Sequence, residues 1–453
     1  MRVSASSVRL AWLIVRRAAR SFGSSVLGIR TMFRCVLLIC SAGAAGVAVA
    51  EPLTFDAALE LATRSSPDIA VETASVQAAE SASVAAGRLP DPKLTVGVEN
   101  FPVTGEERGS LTRDFMTMRK VGLMQDVPNG AKRASRAAAA AADAERAQAQ
   151  RRVSILTVRR ETALAWLARY YFERRAALFD ELDRENQLFS QSVQARFAGG
   201  GGMPADVVAP KQEAAELADR RDELAGELAK SKATLRRWTG PAGDESLAGD
   251  PPTLTLDTQS LRGHIHEHPE LAVFGPMTQM AQAEVHAAEA AKRPDWGVEL
   301  AYGRRGSAFS DMVSLQFTLD LPFFTRTRQD PLIAAKRQEL NRVEAQRDAM
   351  FRDHTEELDA QLAEYEVTSR QLARLREAHL PLAQQKVDYQ FASYRAGKGD
   401  LTAVLNARRE LIDERLKEVE LDGKRAAAAA RLYFFYGAGV ADPKAFAEGE
   451  GTR

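Results

Sequence analysis

The sequence has almost no cysteine, no excess of either charge and no long apolar run beyond its first 50 residues. Its 453 residues include two cysteines, Cys35 and Cys40. A disulfide framework or a thiolate site is therefore excluded from the rest of the chain. The 61 basic and 61 acidic side chains balance, which argues against nucleic acid as a partner because phosphate binding needs a basic excess.

Residues that would carry catalysis are also missing. We find no Ser/His/Asp set, no paired-carboxylate cleft and no HExxH motif, so the sequence predicts no enzyme activity, no catalytic residue and no cofactor. His264, His266 and His268 alternate, and in an extended segment their imidazoles would share one side, as in a zinc or copper site. The first half has no counterpart to them, so we favour solvated surface histidines and predict no metal ligand.

The first 50 residues have the composition of an export signal. They hold seven arginines and no acidic residue, and then an apolar stretch that ends in the small residues Ala48 and Ala50. This pattern predicts a secretory signal peptide, residues 1–50, cleaved near Ala50. A start at Met32 would give a leader of ordinary length, and lipidation of Cys40 is disfavoured because bulky Ile39 precedes it.

The remaining 403 residues carry 54 basic and 61 acidic groups. They contain no uninterrupted apolar run of 18 residues, so the sequence predicts no transmembrane helix. An exported chain of this kind that spans a membrane must do so with strands.

The chain is an internal two-fold repeat. The segment SPDIAV (66–71) matches HPELAV (268–273), Asp126-Val-Pro128 matches Asp320-Leu-Pro322, and Gly200-x-Gly202 matches Gly397-x-Gly399. Matches in the same order along both halves indicate duplication. Each half is too long to be one unit of a solenoid and is therefore a complete structural unit.

Both halves share one order of predicted elements. Repeat 1 (51–240) has a helix (67–89), a hairpin (93–127), a long helix (130–198) and a further helix (204–238). A linker (241–268) leads to repeat 2 (269–437), and residues 438–453 form a C-terminal tail. Repeat 2 has the helices 269–292, 332–395 and 401–436 and the hairpin 296–321.

The predicted strands alternate apolar and polar residues over about ten positions, with Phe101, Trp296 and Tyr302 near the ends. That pattern is typical of outer-membrane strands, although a half-buried strand in a soluble sheet would also show it. The stretch 115–127 is the least regular because it contains Arg119 and Lys120. We predict that the lipid-facing positions are Leu94, Val96, Val98, Trp296, Val298, Leu300, Val313, Leu315, Phe317 and Leu319.

Four strands cannot close a barrel, and open strand edges cannot lie in lipid because their backbone groups would be unpaired. The barrel must therefore be shared between chains. Three chains would supply twelve strands, whereas the eight strands of two chains would leave no pore.

The long helices have narrow apolar stripes at coiled-coil spacing, such as Leu358, Leu362, Tyr365 and Leu372. Such stripes suit seams between neighbouring helices, with charged residues elsewhere. A helix of roughly 65 residues is roughly 100 Å long. The fold class is therefore mainly α with a small β part, and the long helices are arranged as a hollow cylinder.

Four segments resemble the TolC-like family of outer-membrane efflux proteins. They are 89–102 (LPDPKLTVGVENFP), 121–133 (VGLMQDVPNGAKR), 320–329 (DLPFFTRTRQ) and 395–408 (RAGKGDLTAVLNAR). The first three are closest to the heavy-metal, CzcC/CusC-like branch. The resemblance implies a homotrimer in which a twelve-stranded barrel in outer-membrane lipid continues as a trimeric α-helical tunnel through the periplasm.

The same resemblance implies partners and a function. A periplasmic adaptor (membrane fusion) protein and an inner-membrane RND pump would join the channel in a tripartite system that exports heavy-metal cations. Efflux of drugs or small organic molecules, or type I secretion, remains an alternative on this scaffold. A periplasmic coiled-coil scaffold is an alternative of another class.

The resemblance also points to two glycine-rich helix turns as the periplasmic tip that contacts the adaptor, with the glycines Gly199, Gly200, Gly202, Gly397 and Gly399. The family places two gate aspartates just after the second turn, where this sequence has Ala403 and Asn406. Asp206 and Asp400, with Asn406, are the remaining candidates for a pore gate. Either aspartate can instead serve as an ordinary helix cap.

Overall fold

The computed structural model describes residues 52–436. The predicted signal peptide (1–50) and the predicted tail (438–453) lie outside these residues. Within the described range, no helix combines the length and the apolar character needed to cross a membrane.

The first half contains four helices and two strands. In chain order they are α1 (Phe55–Ser65), α2 (Pro67–Ala86), β1 (Lys93–Glu99), β2 (Met118–Val127), α3 (Gly130–Ala198) and α4 (Ala209–Thr239). Short 3₁₀ turns precede and follow α4, at Pro204–Val207 and Gly240–Asp244.

The second half repeats this order after a short helix, α5 (Thr258–Gly263), and a 3₁₀ turn at Ile265–Glu267. Its elements are α6 (Pro269–Ala272), α7 (Phe274–Ala290), β3 (Trp296–Arg304), β4 (Met312–Leu319), α8 (Gln329–Arg374), α9 (Leu380–Arg395) and α10 (Leu401–Tyr436).

Several predicted helix boundaries differ from those in the structure. The helix predicted at 67–89 ends at Ala86, the helix predicted at 204–238 begins as a 3₁₀ turn, and the helix predicted at 269–292 is divided between α6 and α7. The helix predicted at 332–395 begins at Gln329 instead, because Pro331 lies in the first turn, where its missing N–H costs nothing.

The second long helix also contains one irregular turn. Residues Leu375–His379 form a π-helical turn between α8 and α9, and Pro381 follows directly in the first turn of α9. Because proline cannot donate the next intrahelical hydrogen bond, a locally widened turn is the expected accommodation. The first half has no such break, and α3 runs without interruption for 69 residues.

The helices pack through narrow seams and not around one wide core. On α3, the buried residues Leu182, Asn186, Phe189 and Val193 follow a spacing of three and four. On α8, Leu358, Leu362 and Leu372 are buried. Trp166 on α3 is fully buried against Phe55 and donates its indole N–H to the Leu53 carbonyl oxygen at 3.1 Å.

The four strands form one antiparallel sheet in the order β1-β2-β3-β4. The hairpin of the first half therefore joins that of the second through the β2–β3 pair, in which Val121 lies opposite Tyr302 and Leu123 opposite Leu300. Strands β1 and β4 are the two edges. The long helices begin directly after the sheet, at Gly130 for α3 and Gln329 for α8.

Candidate functional site

The register of the sheet collects the apolar side chains of all four strands on one face. Pairing places Leu94 opposite Leu123, Leu300 opposite Leu315, and Val298 opposite Phe317. The apolar residues of this face are Leu94, Val96, Val98, Val121, Leu123, Val127, Trp296, Val298, Leu300, Tyr302, Val313, Leu315, Phe317 and Leu319. Gln125 also lies on it, and Arg119 and Arg304 lie at its margin. Each of the ten positions predicted to face lipid lies on it.

This apolar face is largely exposed on all four strands, and the opposite face is covered only on the central strands β2 and β3. Leu94 is 70% exposed and Phe317 is 69% exposed, whereas Gly297, Ala301 and Gly303 on the opposite face of β3 are buried. A sheet in water would bury its apolar face, since each Å² of apolar surface left exposed forfeits about 25 cal/mol. The arrangement is therefore inverted relative to a sheet in a water-soluble protein.

The opposite face of the sheet carries mainly polar or small side chains, together with Met118, Met124 and Met312. Lys120 Nζ lies 3.0 Å from Glu99 Oε1 and 3.3 Å from Glu299 Oε1. Thr95 donates its hydroxyl to Glu299 Oε1 at 3.1 Å. Any side chain at Gly122 would approach Thr95 Oγ1 and Glu299 Oε1 to 2.7 Å, so glycine is required for this cross-strand network to close.

The two cations that interrupt the alternation of β2 lie on different faces. Lys120 belongs to the polar face and its ion pairs. Arg119 belongs to the apolar face, but at its margin, opposite Arg304 at the last position of β3. The alternation therefore holds from Lys120 to Leu123 and is reversed at Met124 and Gln125, and the cations on the apolar face are confined to one end of the sheet.

A polar junction fixes the base of the sheet to α3. Asp295 precedes β3 and accepts hydrogen bonds from Lys132 Nζ at 2.8 Å and from the Asn129 backbone N–H at 2.7 Å. Asn129 in turn caps α3 by accepting from the Lys132 N–H at 2.9 Å. Burial favours the neutral acid, but the lysine and the amide donors outweigh it and lower the pKa of Asp295.

At the far ends of the long helices, the first glycine-rich turn requires two left-handed residues. Gly200 has φ +77° and Gly202 has φ +138°. Residues other than glycine adopt these backbone conformations only with strain. Asp206 accepts a hydrogen bond from the Met203 N–H at 2.9 Å. Its carboxylate thereby caps the start of the 3₁₀ turn Pro204–Val207, in which it lies.

The second turn is tighter. Gly397 has φ +75°, and a Cβ on Gly399 would lie 2.9 Å from the Tyr394 backbone nitrogen. The N–H groups of Lys398 and Gly399 both donate to the Ser393 carbonyl oxygen at 3.1 Å. Glycine at 399 thus permits a close approach of backbone to backbone.

A contact that the sequence did not reveal joins the two turns. The Arg196 guanidinium lies over the Tyr394 ring at 3.9 Å from its centroid, and its Nε donates to the Gly201 carbonyl oxygen at 3.1 Å. Tyr394 is buried in a cluster with Phe189, Val193, Leu401 and Val404. The arginine and the tyrosine each end a long helix, and only the packed structure brings them together.

The three candidate gate residues differ in their environments. Asp206 is half-buried and engaged as a cap, whereas Asp400 and Asn406 are exposed. Within residues 52–436, no hydrogen bond or ion pair joins these three side chains to one another.

The final helices of the two halves, α4 and α10, are joined by ion pairs, which the sequence analysis did not predict. Arg408 lies 3.2 Å from Glu213, with both side chains mostly buried, and Arg220 lies 2.7 Å from Asp413. A hydrogen-bonded ion pair out of water is sensitive to loss of one partner, since the other charge is left unpaired.

The histidine segment differs from its predicted form. It is not extended, because His264 follows α5 and His266 lies in a 3₁₀ turn. His264 and His266 are exposed, as expected, but the prediction of a surface residue is wrong for His268, which is 2% exposed. Burial, with the neighbouring His354, lowers the pKa of His268 to about 4 against the opposing effect of Glu270.

Comparison with known proteins agrees with this architecture. Residues 265–438 match the family model described as Outer membrane efflux protein. The chain is 22% identical over 395 residues to the cobalt-zinc-cadmium resistance protein CzcC of Cupriavidus metallidurans, covering 84% of this chain and 90% of that one. The resemblance to the heavy-metal branch is thereby confirmed.

Two solved structures share its fold. CusC, whose crystal structures concern transmembrane channel formation, superposes with a TM-score of 0.72 at 17% identity, covering 84% of this chain and 92% of CusC. The outer membrane protein VceC of Vibrio cholerae gives 0.69 at 18% identity, covering 84% and 96%. The predicted fold class, mainly helical with a small four-stranded part, is confirmed.

Proposed function

We propose that this chain is the outer-membrane component of a tripartite, RND-type efflux system. We further propose that its cargo is heavy-metal cations. The observation that carries the proposal is the continuous apolar face exposed across all four strands. Only a lipid environment makes that face favourable, and strands of 7–10 residues approach the length that spans an outer membrane.

The sheet supports a ring of identical chains. Its edge strands β1 and β4 would leave a row of unpaired backbone groups in lipid. Because the sheet has an even number of antiparallel strands, β4 of one copy runs opposite to β1 of the next, so pairing between copies continues the antiparallel pattern. Three copies give a twelve-stranded barrel with the polar face inward.

The helical part fits the rest of the proposal. Helices of up to 69 residues, roughly 100 Å long, leave the base of the sheet and end at the two glycine-rich turns. We assign those turns to the periplasmic tip, where an adaptor protein would dock and connect the channel to the pump. Asp206, Asp400 and Asn406, each repeated three times, would then lie near the narrow end, where rings of carboxylates favour cations.

The cargo is inferred from the relative and from the sequence branch. CzcC is described as a cobalt-zinc-cadmium resistance protein, and the motifs 89–102, 121–133 and 320–329 place this chain nearer to that branch. The chain itself spends no energy, so transport would be driven by the pump.

Deletion of the coding sequence tests the proposal. The deletion strain should lose tolerance to one or more of Co, Zn, Cd, Ni, Cu and Ag salts, and the intact sequence supplied on a plasmid should restore it. Antibiotics tested in parallel should have unchanged inhibitory concentrations. If only antibiotic tolerance fell, the cargo would be organic, and the channel would stand while the metal assignment failed.

A further inference from the structure

Two buried histidines and a glutamate lie together where the second repeat begins. His268 caps α6, Glu270 lies in its first turn, and His354 lies in the middle of α8. The two imidazole rings are 4.3 Å apart between centroids. His268 is 2% exposed and His354 is 3% exposed, so both rings are removed from water.

The polar atoms of this cluster are poorly satisfied. Within residues 52–436, His354 makes no hydrogen bond through either ring nitrogen, and His268 makes none through Nε2. His354 Nε2 lies 3.2 Å from Glu270 Oε2, which is an ion-pair contact without good hydrogen-bond geometry. His268 Nδ1 accepts one long hydrogen bond, 3.3 Å, from the Glu270 backbone N–H.

The surroundings are apolar and aromatic. The His268 ring lies 4.4 Å from the Phe435 ring and 5.4 Å from the Tyr436 ring, beside a cluster that includes Leu261 and Leu358. An unpaired polar atom in such a place is destabilising, because it has lost its hydrogen bonds to water and gained none in return. Native proteins rarely leave several such atoms together unless a water or an ion satisfies them.

We propose that His268, Glu270 and His354 bind a divalent transition-metal ion of the zinc class. One nitrogen from each imidazole and one oxygen from the carboxylate all lie within 4.8 Å of one another. Two ligands of a tetrahedral zinc ion at about 2.0–2.1 Å stand roughly 3.3 Å apart, close to the His354–Glu270 separation. Two imidazoles and one carboxylate suit Zn²⁺ or Co²⁺ better than the hard ions Mg²⁺ and Ca²⁺.

Metal binding would disrupt few of the contacts that these side chains already make. If Nε2 of His268 is the ligand, its proton moves to Nδ1, and the long contact with the Glu270 N–H is given up. In return the ion satisfies the buried nitrogens and ties α6 to α8. The inference does not depend on the proposed cargo, because the site is buried in one chain and would be resident whatever passes through the channel.

The test uses the full mature protein in detergent, purified through an affinity tag without histidine and stripped with a chelator. Zn²⁺ is titrated against a chromophoric competitor, and Co²⁺ is added separately as a spectroscopic probe. We expect one Zn²⁺ per chain and the intense visible absorption of tetrahedral Co²⁺. Heat unfolding should shift to higher temperature with the ion bound.

Matched variants separate this cluster from other histidines. His268→Gln and His354→Gln should each weaken zinc binding by more than roughly tenfold, since even changes around a ligand cost that much. His264→Gln and His266→Gln alter exposed neighbours in the same segment and should bind as the unaltered protein does.

Failure of the stripped protein to bind added Zn²⁺, or an affinity in His268→Gln and His354→Gln equal to that of the unaltered protein, would overturn the proposal. If those variants fail to fold, X-ray absorption on the unaltered zinc-bound protein decides. Two imidazole ligands and an oxygen ligand per ion support the site, and any other number of imidazoles refutes it.

Discussion

At the scale of single residues, the structure depends on a few polar contacts and glycines that join elements distant in sequence. Asp295 is the clearest polar case because it joins the start of β3 to the start of α3 through Asn129 and Lys132. No sequence motif predicts this contact. The contact arises only because the two repeats place their hairpins side by side in one sheet.

Asp295→Asn should lower stability at neutral pH by about 1–2 kcal/mol, because a charge-assisted hydrogen bond is lost. The pKa of Asp295 is lowered in the folded chain from its ordinary value of 3.8. Its contribution is therefore complete well above that pH and is lost as pH falls through the folded pKa. Thermal unfolding of both proteins at pH 7 and near pH 3 measures this, with Asp91→Asn at an exposed site as control. A difference that grew on acidification would contradict the assignment.

Gly399→Ala should destabilise the second turn by about 1–3 kcal/mol, because the added methyl group would meet the Tyr394 backbone nitrogen at 2.9 Å. Gly226→Ala, at an exposed site in α4 with open space around it, should be neutral or stabilising. Circular dichroism during heating compares the two variants. Equal melting temperatures would show that the turn tolerates the methyl group.

The Arg408–Glu213 pair should behave as one unit. Removing either side chain by substitution with alanine should cost about 3 kcal/mol or more, since it leaves a mostly buried charge unpaired, and the double variant should cost less than the sum. A double-mutant cycle of unfolding free energies measures the coupling. Additive costs would mean that the two side chains are solvated independently.

At the scale of elements, the sequence predicted the strands better than the ends of the helices. Alternation alone assigned the ten positions predicted to face lipid to one face of the sheet, because the period of two is a rigid property of a strand. It could not place Arg119 and Lys120, whose faces follow from register with β3. Helix ends were less certain: α2 stops before the expected proline, and Pro331 proved to be inside its helix.

The histidine cluster marks another limit of prediction from sequence. The segment 264–268 drew attention by its alternation, yet it is not extended, and only His268 turns inward. Its partner His354 lies on α8, far along the chain. Periodicity describes one element at a time, so a site that two elements build together is invisible to it.

Leu315→Arg should prevent correct insertion of the sheet, because arginine on a lipid-facing strand position costs about 2–4 kcal/mol at mid-membrane depth. Gln316→Arg places the same charge on the next residue, which lies on the polar face opposite Glu299, and should insert normally. Outer-membrane fractions probed by heat-modifiable mobility on gels report insertion. If both variants inserted equally well, the apolar face would not be the lipid-facing one.

At the scale of the whole molecule, one chain is incomplete. Its edge strands are unpaired and its apolar face is exposed, although its helices are packed by their own seams. The two-fold repeat was legible in the sequence, whereas the pairing of the two hairpins into one sheet required the structure. We expect detergent-extracted protein to contain three chains by light scattering, and a stable monomer would refute the shared barrel.

The inverted sheet has a consequence for how the molecule is made. Its helices can pack while surrounded by water. The apolar face of the strands is not buried until lipid acyl chains contact it, and the edge strands are not paired until other copies of the chain bind. A copy that has not yet reached lipid therefore exposes an apolar surface, and we expect its assembly to need a chaperone or to be completed at the lipid itself.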